Sequence, residues 1–234
     1  MAAPGFTVAL IGPDGAGKTT VARALERDPD LAAHYIYMGV NWEASNHLLP
    51  TTRAMRALRR ARGIRDSGGP PERPSTPAIP RPPLRRLVRA GWKAFALTNR
   101  LAEEWYRHAL AWAHVRRGGV VVFDRHFFSD YHADDVETGA VRPLDRRIHG
   151  FFLTRVYPKP ELVVFLDAPA EVLHARKGEG TIESLERRRR DYLRLEGVAQ
   201  NFTTVDATKP VDDVTADVAS ALRAFRADRA AGAR

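Results

Sequence analysis

The chain of 234 residues contains no cysteine. Disulfide frameworks and thiolate metal sites are therefore excluded. Long apolar runs are also missing, because no window reaches the roughly 18 consecutive apolar residues that a membrane-spanning helix needs. The amino-terminal residues lack a basic segment followed by a long apolar stretch, so we expect no secretory signal. These absences predict a cytoplasmic protein without a membrane partner.

Acidic residues are scarce relative to basic ones. The chain has 37 Lys and Arg against 28 Asp and Glu, which gives a formal net charge of +9. Such a charge attracts polyanions, either nucleic acid or a phosphorylated small molecule. An arginine-rich surface composition produces the same charge without any ligand. Neither the aromatic pattern of RNA-recognition motifs nor a zinc-finger spacing is present, so the motifs do not favour nucleic-acid binding.

Short apolar runs alternate with amphipathic segments along most of the chain. The apolar runs predict about five strands, at residues 6–11, 34–38, 120–124, 162–167 and 202–207. The amphipathic segments predict helices at residues 18–28, 51–65, 84–119, 144–157, 169–195 and 211–229. This alternation predicts a single doubly wound α/β domain, which binds ligands at the carboxyl ends of its strands.

The sequence also predicts interruptions in two of these helices and one exposed loop. The helix at 84–119 should break near Gly91 or Thr98, and the segment 169–195 should be interrupted at its two glycines, Gly178 and Gly180. Residues 67–83 are rich in proline, which excludes regular helix or central strand. We interpret them as an exposed loop, either a tolerated insertion or a polyproline ligand for a partner.

The helix at 84–119 contains two tryptophans that are candidates for the hydrophobic core. Trp105 and Trp112 are seven residues apart and therefore lie on one helix face. Aromatic residues at this spacing belong to a hydrophobic core more often than to a cofactor site. We therefore predict that both pack inside the protein.

Residues 12–19, GPDGAGKT, match the pattern G-x-x-x-x-G-K-[ST] in full, between a predicted strand and a predicted helix. The glycines let successive backbone N–H groups form an anion nest, and the dipole of the following helix adds positive potential. The motif therefore predicts ATP and Mg²⁺ as cofactors; an accidental glycine-rich turn is the alternative. The predicted nucleotide-binding residues are Gly12, Gly15, Ala16, Gly17, Lys18, Thr19 and Thr20.

Three carboxylates near the ends of predicted strands are candidates for the site. Asp14 would repel a triphosphate, so we expect it to face the phosphate acceptor, with capping of a local N–H as the alternative. Asp124 is a predicted catalytic and metal-linked residue, acting on metal-bound water or on the acceptor; pairing with an arginine is its alternative. Asp167 precedes Ala-Pro and is predicted to cap the turn.

These motifs resemble the thymidylate kinase family of P-loop nucleoside monophosphate kinases. The similar stretches are GPDGAGKTT (12–20), VVVFDRHFFSDY (120–131), VVFLDAPAEVLHARKGEG (163–180), RRRRDYLRL (187–195) and VDATKPVDDV (205–214). They cover most of the chain in order, apart from about residues 39–97. The resemblance implies a P-loop NTPase fold with about five parallel strands and a mobile lid at about residues 174–190.

The resemblance also implies roles for the P-loop, residues 12–19. Lys18 and the loop amides would hold the phosphates of ATP, and the hydroxyl of Thr19 would bind Mg²⁺. Asp14 would face the acceptor. Lys18 and Asp14 are accordingly predicted catalytic residues.

Arginines complete the predicted site. By resemblance, Arg125 would bind the acceptor phosphate or the transferring group, and Asn99 and Arg100 are candidate acceptor contacts. Arg176, with other arginines of the lid, would neutralise charge as the lid closes. The four arginines at 187–190 cannot all face the site, because a helix does not aim four successive side chains in one direction. Two of them are therefore expected to be solvated.

The acceptor segment departs from the family. Thymidylate kinases carry F-P-x-R after the second strand, whereas this chain has YMGVNWEASNHLLPTTR at residues 37–53. The favoured function is ATP-dependent phosphoryl transfer to a nucleoside monophosphate such as dTMP. One alternative acceptor is a sugar, sugar phosphate or alcohol intermediate, and another alternative is a nucleotide-dependent binding or regulatory protein. The expected partner is the small-molecule acceptor, and a homodimer is a further hypothesis.

Overall fold

The computed structural model describes residues 4–39, 47–61, 63, 83–124, 126, 148 and 150–232. The strands are β1 Phe6–Ile11, β2 Ala33–Tyr37, β3 Val120–Asp124, β4 Leu162–Asp167 and β5 Phe202–Asp206. The helices are α1 Lys18–Glu26, α2 Pro50–Ala61, α3 Pro83–Arg116, α4 Ala170–Lys177, α5 Ile182–Leu193 and α6 Val211–Gly232. A π-helical turn, Phe152–Val156, and a 3₁₀ turn, Arg194–Gly197, lie between them.

The strands form one parallel sheet in the order β2-β3-β1-β4-β5. The predicted α/β fold with a five-stranded parallel sheet flanked by helices is confirmed. β1 lies at the centre, and the chain crosses over it between β3 and β4. Ligands of such sheets bind where the connections diverge, at the carboxyl ends of the strands. The P-loop directly follows β1 at this place.

Both faces of the sheet are buried. Alternate residues of β1 enter different cores: Phe6, Val8 and Leu10 pack on one side, and Ala9 and Ile11 pack on the other. Helices α1 and α6 cover the first side, and α3 contributes to the second. This burial explains why the three central strands, β1, β3 and β4, consist of nearly continuous apolar runs rather than alternating patterns.

Helix α3 differs from the prediction, because it is continuous over 34 residues. The predicted break near Gly91 or Thr98 is wrong. Neither residue removes a backbone N–H, as proline would, and a glycine inside a helix costs only about 1 kcal/mol relative to alanine. The helix also begins at Pro83, which we had assigned to the loop; proline is well suited to the first position of a helix.

The prediction that two tryptophans of α3 belong to the core is also wrong. The exposed fractions are 43% for Trp105 and 58% for Trp112. The face of α3 that turns inward carries Ala111 and His108 instead. The guanidinium of Arg116 lies 3.5 Å from the centroid of the Trp112 ring.

Other predicted segments are confirmed where they are described. The interruption at Gly178 and Gly180 separates α4 from α5. The predicted helix at 144–157 ends in the π-helical turn, where the amide of Tyr157 donates to the carbonyl of Phe152 at 2.9 Å. Residues 67–82 of the proline-rich loop lie outside the described residues. Within the described part of the chain, no helix combines the length and the apolar character needed to cross a bilayer.

Candidate functional site

Three glycines shape the P-loop through their backbone angles. Gly12, Gly15 and Gly17 have φ of 147°, 91° and 85°, in the region that favours glycine. At two of them a side chain would also meet backbone: a Cβ on Gly12 would lie 2.7 Å from the carbonyl oxygen of Leu166, and one on Gly15 would lie 2.6 Å from that of Leu173. The loop is therefore pressed against β4 and α4.

Lys18 is the first residue of α1 and is buried. Its ammonium donates to the carbonyl oxygens of Gly12 at 2.7 Å and of Pro13 at 2.8 Å. The ammonium is thus held across the mouth of the loop, at the positive end of the α1 dipole. A triphosphate in the loop would lie within the reach of both the ammonium and the loop amides.

The neighbouring loop residues have different surroundings. Ala16 is buried in the core beside α1, whereas Thr19 and Thr20 are exposed in the first turn of α1. The predicted nucleotide-binding residues therefore form one continuous loop and helix start. Their contacts with ATP stay a prediction.

Asp124 connects the end of β3 with the P-loop. Its register partner in β1 is Leu10, which places its carboxylate beside the start of the loop. The carboxylate oxygen Oδ2 accepts hydrogen bonds from the hydroxyl of Thr19 at 2.5 Å and from the hydroxyl of Tyr35 at 3.3 Å. Burial, and next the charge of Asp124, raise the pKa of Tyr35, so its hydroxyl remains a donor.

The other oxygen of this carboxylate fits the predicted metal. Asp124 is fully buried, and its Oδ1 has no hydrogen-bond partner within the described part of the chain. A buried anionic oxygen without a donor is costly unless a ligand or cation compensates it. The hydroxyl of Thr19 is hydrogen-bonded to the same carboxylate, and Mg²⁺ prefers oxygen ligands of these two kinds. The pair Thr19 and Asp124 therefore fits Mg²⁺.

No larger metal cluster is needed for this fit. Among the described residues, no group of three or more His, Asp or Glu side chains is arranged to hold a metal ion. Mg²⁺ commonly keeps several waters and uses one or two protein oxygens together with substrate phosphates. A site of two protein oxygens is consistent with that habit.

Asp14 faces α4 and α5, the two helices that contain the predicted lid. Its Oδ2 accepts a hydrogen bond from Nη1 of Arg188 at 2.9 Å, and its Oδ1 lies 3.8 Å from the ammonium of Lys177. Arg188 belongs to α5 and Lys177 ends α4, so the carboxylate links the P-loop to both lid helices. The acceptor-facing role of Asp14 stays a prediction.

Asp167, at the end of β4, binds a second lid arginine. Its two carboxylate oxygens accept from Nε and Nη2 of Arg189 at 2.6 and 2.8 Å. This bidentate hydrogen bonding raises the pKa of Arg189 further above its usual range. The interpretation of Asp167 as a turn cap is wrong: α4 begins after Pro169 without any side-chain cap, and the carboxylate is occupied by the guanidinium.

Arg176 belongs to α4 and contacts the loop that follows β5. Its guanidinium donates to the carbonyl oxygens of Ala207 at 2.7 Å and of Thr208 at 3.2 Å, just beyond β5. In this arrangement it joins α4 to the loop after β5. Its predicted action on ATP stays a prediction. Arg125, the other predicted catalytic arginine, lies outside the described residues.

Helix α3 is joined to α2 by a buried polar network. The amide of Asn99 donates to Thr52, and Asn99 accepts from the hydroxyl of Thr51 at 2.8 Å. The carboxylate of Glu103 accepts from the hydroxyl of Thr52 at 2.7 Å and from the backbone N–H of Leu49 at 3.1 Å. These contacts hold α2 against α3 and give Asn99 a structural role.

Arg107 extends this network toward the end of β2. Its buried guanidinium forms an ion pair with Glu103 at 3.3 Å and donates to the carbonyl oxygens of Gly39 and His47. Burial lowers the pKa of Arg107, and the charge of Glu103 opposes that shift. The guanidinium therefore anchors the two ends of the segment 39–47.

Arg100, the predicted acceptor contact, pairs with a glutamate instead of facing a described P-loop residue. Its Nε lies 3.1 Å from Oε1 of Glu104, whose side chain is almost fully buried. Glu104 also lies beside Tyr157: burial, and next the charge of Glu104, raise the pKa of the Tyr157 hydroxyl. Whether Arg100 also meets an acceptor stays a prediction.

Two buried histidines, His108 of α3 and His126, lie near the end of β3. Burial lowers the pKa of His108 to about 4 and that of His126 to about 3. Their ring centroids are 6.0 Å apart, and both rings pack near Phe123. At neutral pH both imidazoles are therefore uncharged.

Sequence reasoning did not single out Tyr35, Lys177, Arg188 or Arg189. A signal existed for the two arginines: they follow Leu185 by three and four residues, and Leu185 is the buried residue of α5. Residues at these spacings share a helix face. For Tyr35 no local signal existed, because its contact with Asp124 depends on the pairing of β2 with β3.

Comparison with known proteins shows a distant similarity. The chain is 29% identical over 118 residues to a protein named "Probable thymidylate kinase" from Archaeoglobus fulgidus, covering 47% of this chain and 57% of that protein. It is 28% identical over 119 residues to a "Thymidylate kinase" from Thermosipho africanus, covering 46% and 56%. The chain thus spans a little over half the length of these curated relatives. No family model matches.

Proposed function

We propose that this protein is a kinase that transfers a phosphoryl group from ATP to a small-molecule acceptor. The observation that carries the proposal is the contact of Thr19 with Asp124 at the mouth of the P-loop. A P-loop hydroxyl beside a strand-end carboxylate is the arrangement by which P-loop enzymes hold Mg²⁺. The distant similarity to two proteins named as thymidylate kinases supports a kinase in broad terms.

The residues divide the chemical work as follows. The P-loop amides and Lys18 bind and orient the phosphates of ATP. Thr19 and Asp124 hold Mg²⁺, which when bound neutralises charge on the β- and γ-phosphates. The lid supplies further cations and excludes water from the phosphates. Asp14, Arg125 and Arg176 keep their predicted catalytic roles within this proposal.

The acceptor best supported is a nucleoside monophosphate such as dTMP. The names of the two relatives support this choice, as do the motifs of the sequence. Arg125 and Arg100 are the predicted contacts for the acceptor. A doubly charged phosphate needs such cations near it.

A second candidate is an acceptor without a nucleobase, such as a sugar, a sugar phosphate or an alcohol. One observation favours it: Arg100 and Arg107, two described arginines of α3, are each paired with a glutamate. Paired guanidiniums have less positive charge to offer a phosphate. A neutral acceptor, a sugar or an alcohol, would not need them, so within this second candidate the observation favours these two over a sugar phosphate.

A single screen tests both candidates. Formation of ADP from Mg·ATP is measured with dTMP, other nucleoside monophosphates, sugars, sugar phosphates and alcohols, for the wild-type protein and for Lys18→Ala. We expect dTMP to be converted to dTDP by the wild type only. Turnover of a sugar or an alcohol, with none of dTMP, would show that the acceptor is not a nucleoside monophosphate but a compound of the second class. Binding of ATP without any acceptor-dependent ADP would overturn the kinase and favour a nucleotide-dependent binding protein.

A further inference from the structure

The lid is defined as residues 174–190, from the end of α4 into α5. Two of its arginines tie it to the sheet. Arg176 binds carbonyl oxygens beyond β5, and Arg189 binds Asp167 at the end of β4 through two parallel hydrogen bonds. A bidentate pair of this kind has a fixed geometry. These two contacts hold the lid against the strand ends.

Helical geometry selects which of the four consecutive arginines face the P-loop. Leu185 is buried in the core, and Arg188 and Arg189 follow it by three and four residues. They therefore share its face of α5. Arg187 and Arg190 fall on the outer side, and both are exposed. Arg188 is exposed as well, so helix geometry rather than exposure separates Arg188 and Arg189 from the other two.

Arg188 is the lid arginine placed on the P-loop itself. It contacts Asp14 through Nη1 at 2.9 Å, and its side chain is 45% exposed, against 17% for Asp14. Lys177 approaches the same carboxylate at 3.8 Å but also pairs with Glu179 at 2.7 Å. The contact of Arg188 is therefore partly exposed and made through one nitrogen, unlike the fixed pair of Arg189.

We propose that Asp14 and Arg188 form a latch that ATP releases. Without nucleotide, Asp14 holds the guanidinium of Arg188 beside the P-loop. When the triphosphate occupies the loop, its negative oxygens replace Asp14 as the partner of Arg188. The latch rests on the proposed function only in its first step, the binding of ATP by the P-loop.

The strength of the latch is limited by its exposure. Partly exposed ion pairs contribute little, so removing one changes an equilibrium by about twofold to fivefold. The several negative charges of a triphosphate outweigh one carboxylate as a partner for a guanidinium. Transfer of Arg188 to the nucleotide is therefore favourable, and the cost of opening the latch is small.

A double-mutant cycle tests this coupling. The affinity for Mg·ATP is measured by calorimetry without acceptor, for wild type, Asp14→Asn, Arg188→Gln and the double variant. We expect Asp14→Asn to tighten binding about twofold to fivefold more when Arg188 is present than in the Arg188→Gln background, where only the direct repulsion by Asp14 is removed. Arg188→Gln alone should weaken binding. Arg187→Gln, on the outer face, is the matched control and should bind as wild type does.

The same cycle can overturn the proposal. Asp14 also repels the triphosphate directly, and that repulsion does not involve Arg188. If Asp14→Asn tightens binding equally in both backgrounds, direct repulsion alone explains it and there is no latch. An equal loss in Arg187→Gln and Arg188→Gln would show only an effect of general charge.

Hydrogen exchange provides a second measurement, on protein without nucleotide. Asp14→Asn and Arg188→Gln should both increase amide exchange in α5, whereas Arg187→Gln should not. Unchanged exchange in the first two variants would overturn the latch. The two proposals can fail separately. If the protein binds ATP but phosphorylates no acceptor, the proposed kinase activity is refuted, whereas the latch is not. A protein that binds no ATP loses both.

Discussion

Asp124 is fully buried, yet its two carboxylate oxygens have different surroundings. Oδ2 is hydrogen-bonded to Thr19 and Tyr35, whereas Oδ1 has no partner among the described residues. The sequence identified Asp124 from its place at the end of an apolar run and left three roles open. The geometry beside Thr19 favours the metal-linked role.

Asp124→Asn should remove the gain that Mg²⁺ gives to ATP binding. The amide keeps the size of the side chain but loses the charge that attracts the cation, and we expect the affinity gain from Mg²⁺ to fall about tenfold to a hundredfold. The affinity for ATP is measured with Mg²⁺ and with a chelator. Tyr35→Phe is the control, because it removes the other donor to Oδ2 and leaves the carboxylate. An unchanged gain in Asp124→Asn would refute the assignment.

At the scale of elements, contacts between loops and helices decide how residues are used. The P-loop lies so close to α4 that the backbone of Leu173 almost touches Gly15. The motif G-x-x-x-x-G-K-[ST] fixes Gly12 and Gly17 but leaves the residue at position 15 open, and it does not show which element presses on that residue. Likewise, the pattern of α3 predicts a helix but not the polar network with α2.

Gly15→Ala should destabilise the protein more than Gly17→Ala does. Both glycines have φ near 90°, so each substitution costs about 1–2 kcal/mol of backbone strain. At Gly15 the new Cβ would also lie 2.6 Å from the carbonyl oxygen of Leu173, whereas nothing lies within 4 Å at Gly17. Urea unfolding of both variants measures the difference, which we expect to be about 1–3 kcal/mol. Equal losses would contradict the close approach of α4.

Glu103→Gln should be strongly destabilising because it leaves a buried cation without its counter-charge. The Arg107 side chain is 3% exposed. Breaking a buried ion pair by neutralising one partner costs about 3–5 kcal/mol. Urea unfolding is the measurement, and Arg223→Gln, in an exposed pair with Asp28, is the control with an expected loss below about 1 kcal/mol. Similar losses in both variants would show that the network does not stabilise α3 against α2.

At the scale of the whole molecule, the five strands bring distant residues to one edge of the sheet. The contact of Thr19 with Asp124 spans 105 residues of sequence, and that of Asp14 with Arg188 spans 174. Closing such contacts requires the complete sheet. The same packing buries neutral histidines, which links the stability of the whole fold to pH.

Stability should fall as the pH is lowered from 7 to 5. The pKa of His108 is about 4 in the folded protein, against 6.5 for the free side chain. Below pH 6.5 the unfolded chain therefore binds a proton that the folded protein does not, so acid favours unfolding until the pH reaches about 4. At pH 5 the expected loss is about 2 kcal/mol for this residue, and His126 adds a loss in the same direction.

Urea unfolding at pH 5, 6 and 7 measures this dependence. His108→Gln retains a polar side chain without the titrating group, so its stability should depend less steeply on pH than that of the wild type. His34 and His47 also have a lowered pKa and contribute a common background. The same slope in His108→Gln and wild type would contradict the burial of a neutral imidazole.

The α/β fold, the approximate strands and the P-loop could be predicted from local patterns in the chain. These depend on local patterns: apolar runs form buried strands, and glycines at set spacings permit one loop conformation. The burial of Trp105 and Trp112 was predicted wrongly because local patterns do not show which face of a helix meets the sheet, and the break in α3 was predicted wrongly because one glycine costs too little to end a helix. The contacts of Asp124 with Thr19, of Asp167 with Arg189 and of Asp14 with Arg188 became visible only once the chain was folded. The contacts of Asp124 with Thr19 and of Asp14 with Arg188 join residues 105 and 174 positions apart, which the sheet brings together, whereas Asp167 and Arg189 are 22 apart and meet because α5 folds back toward the end of β4.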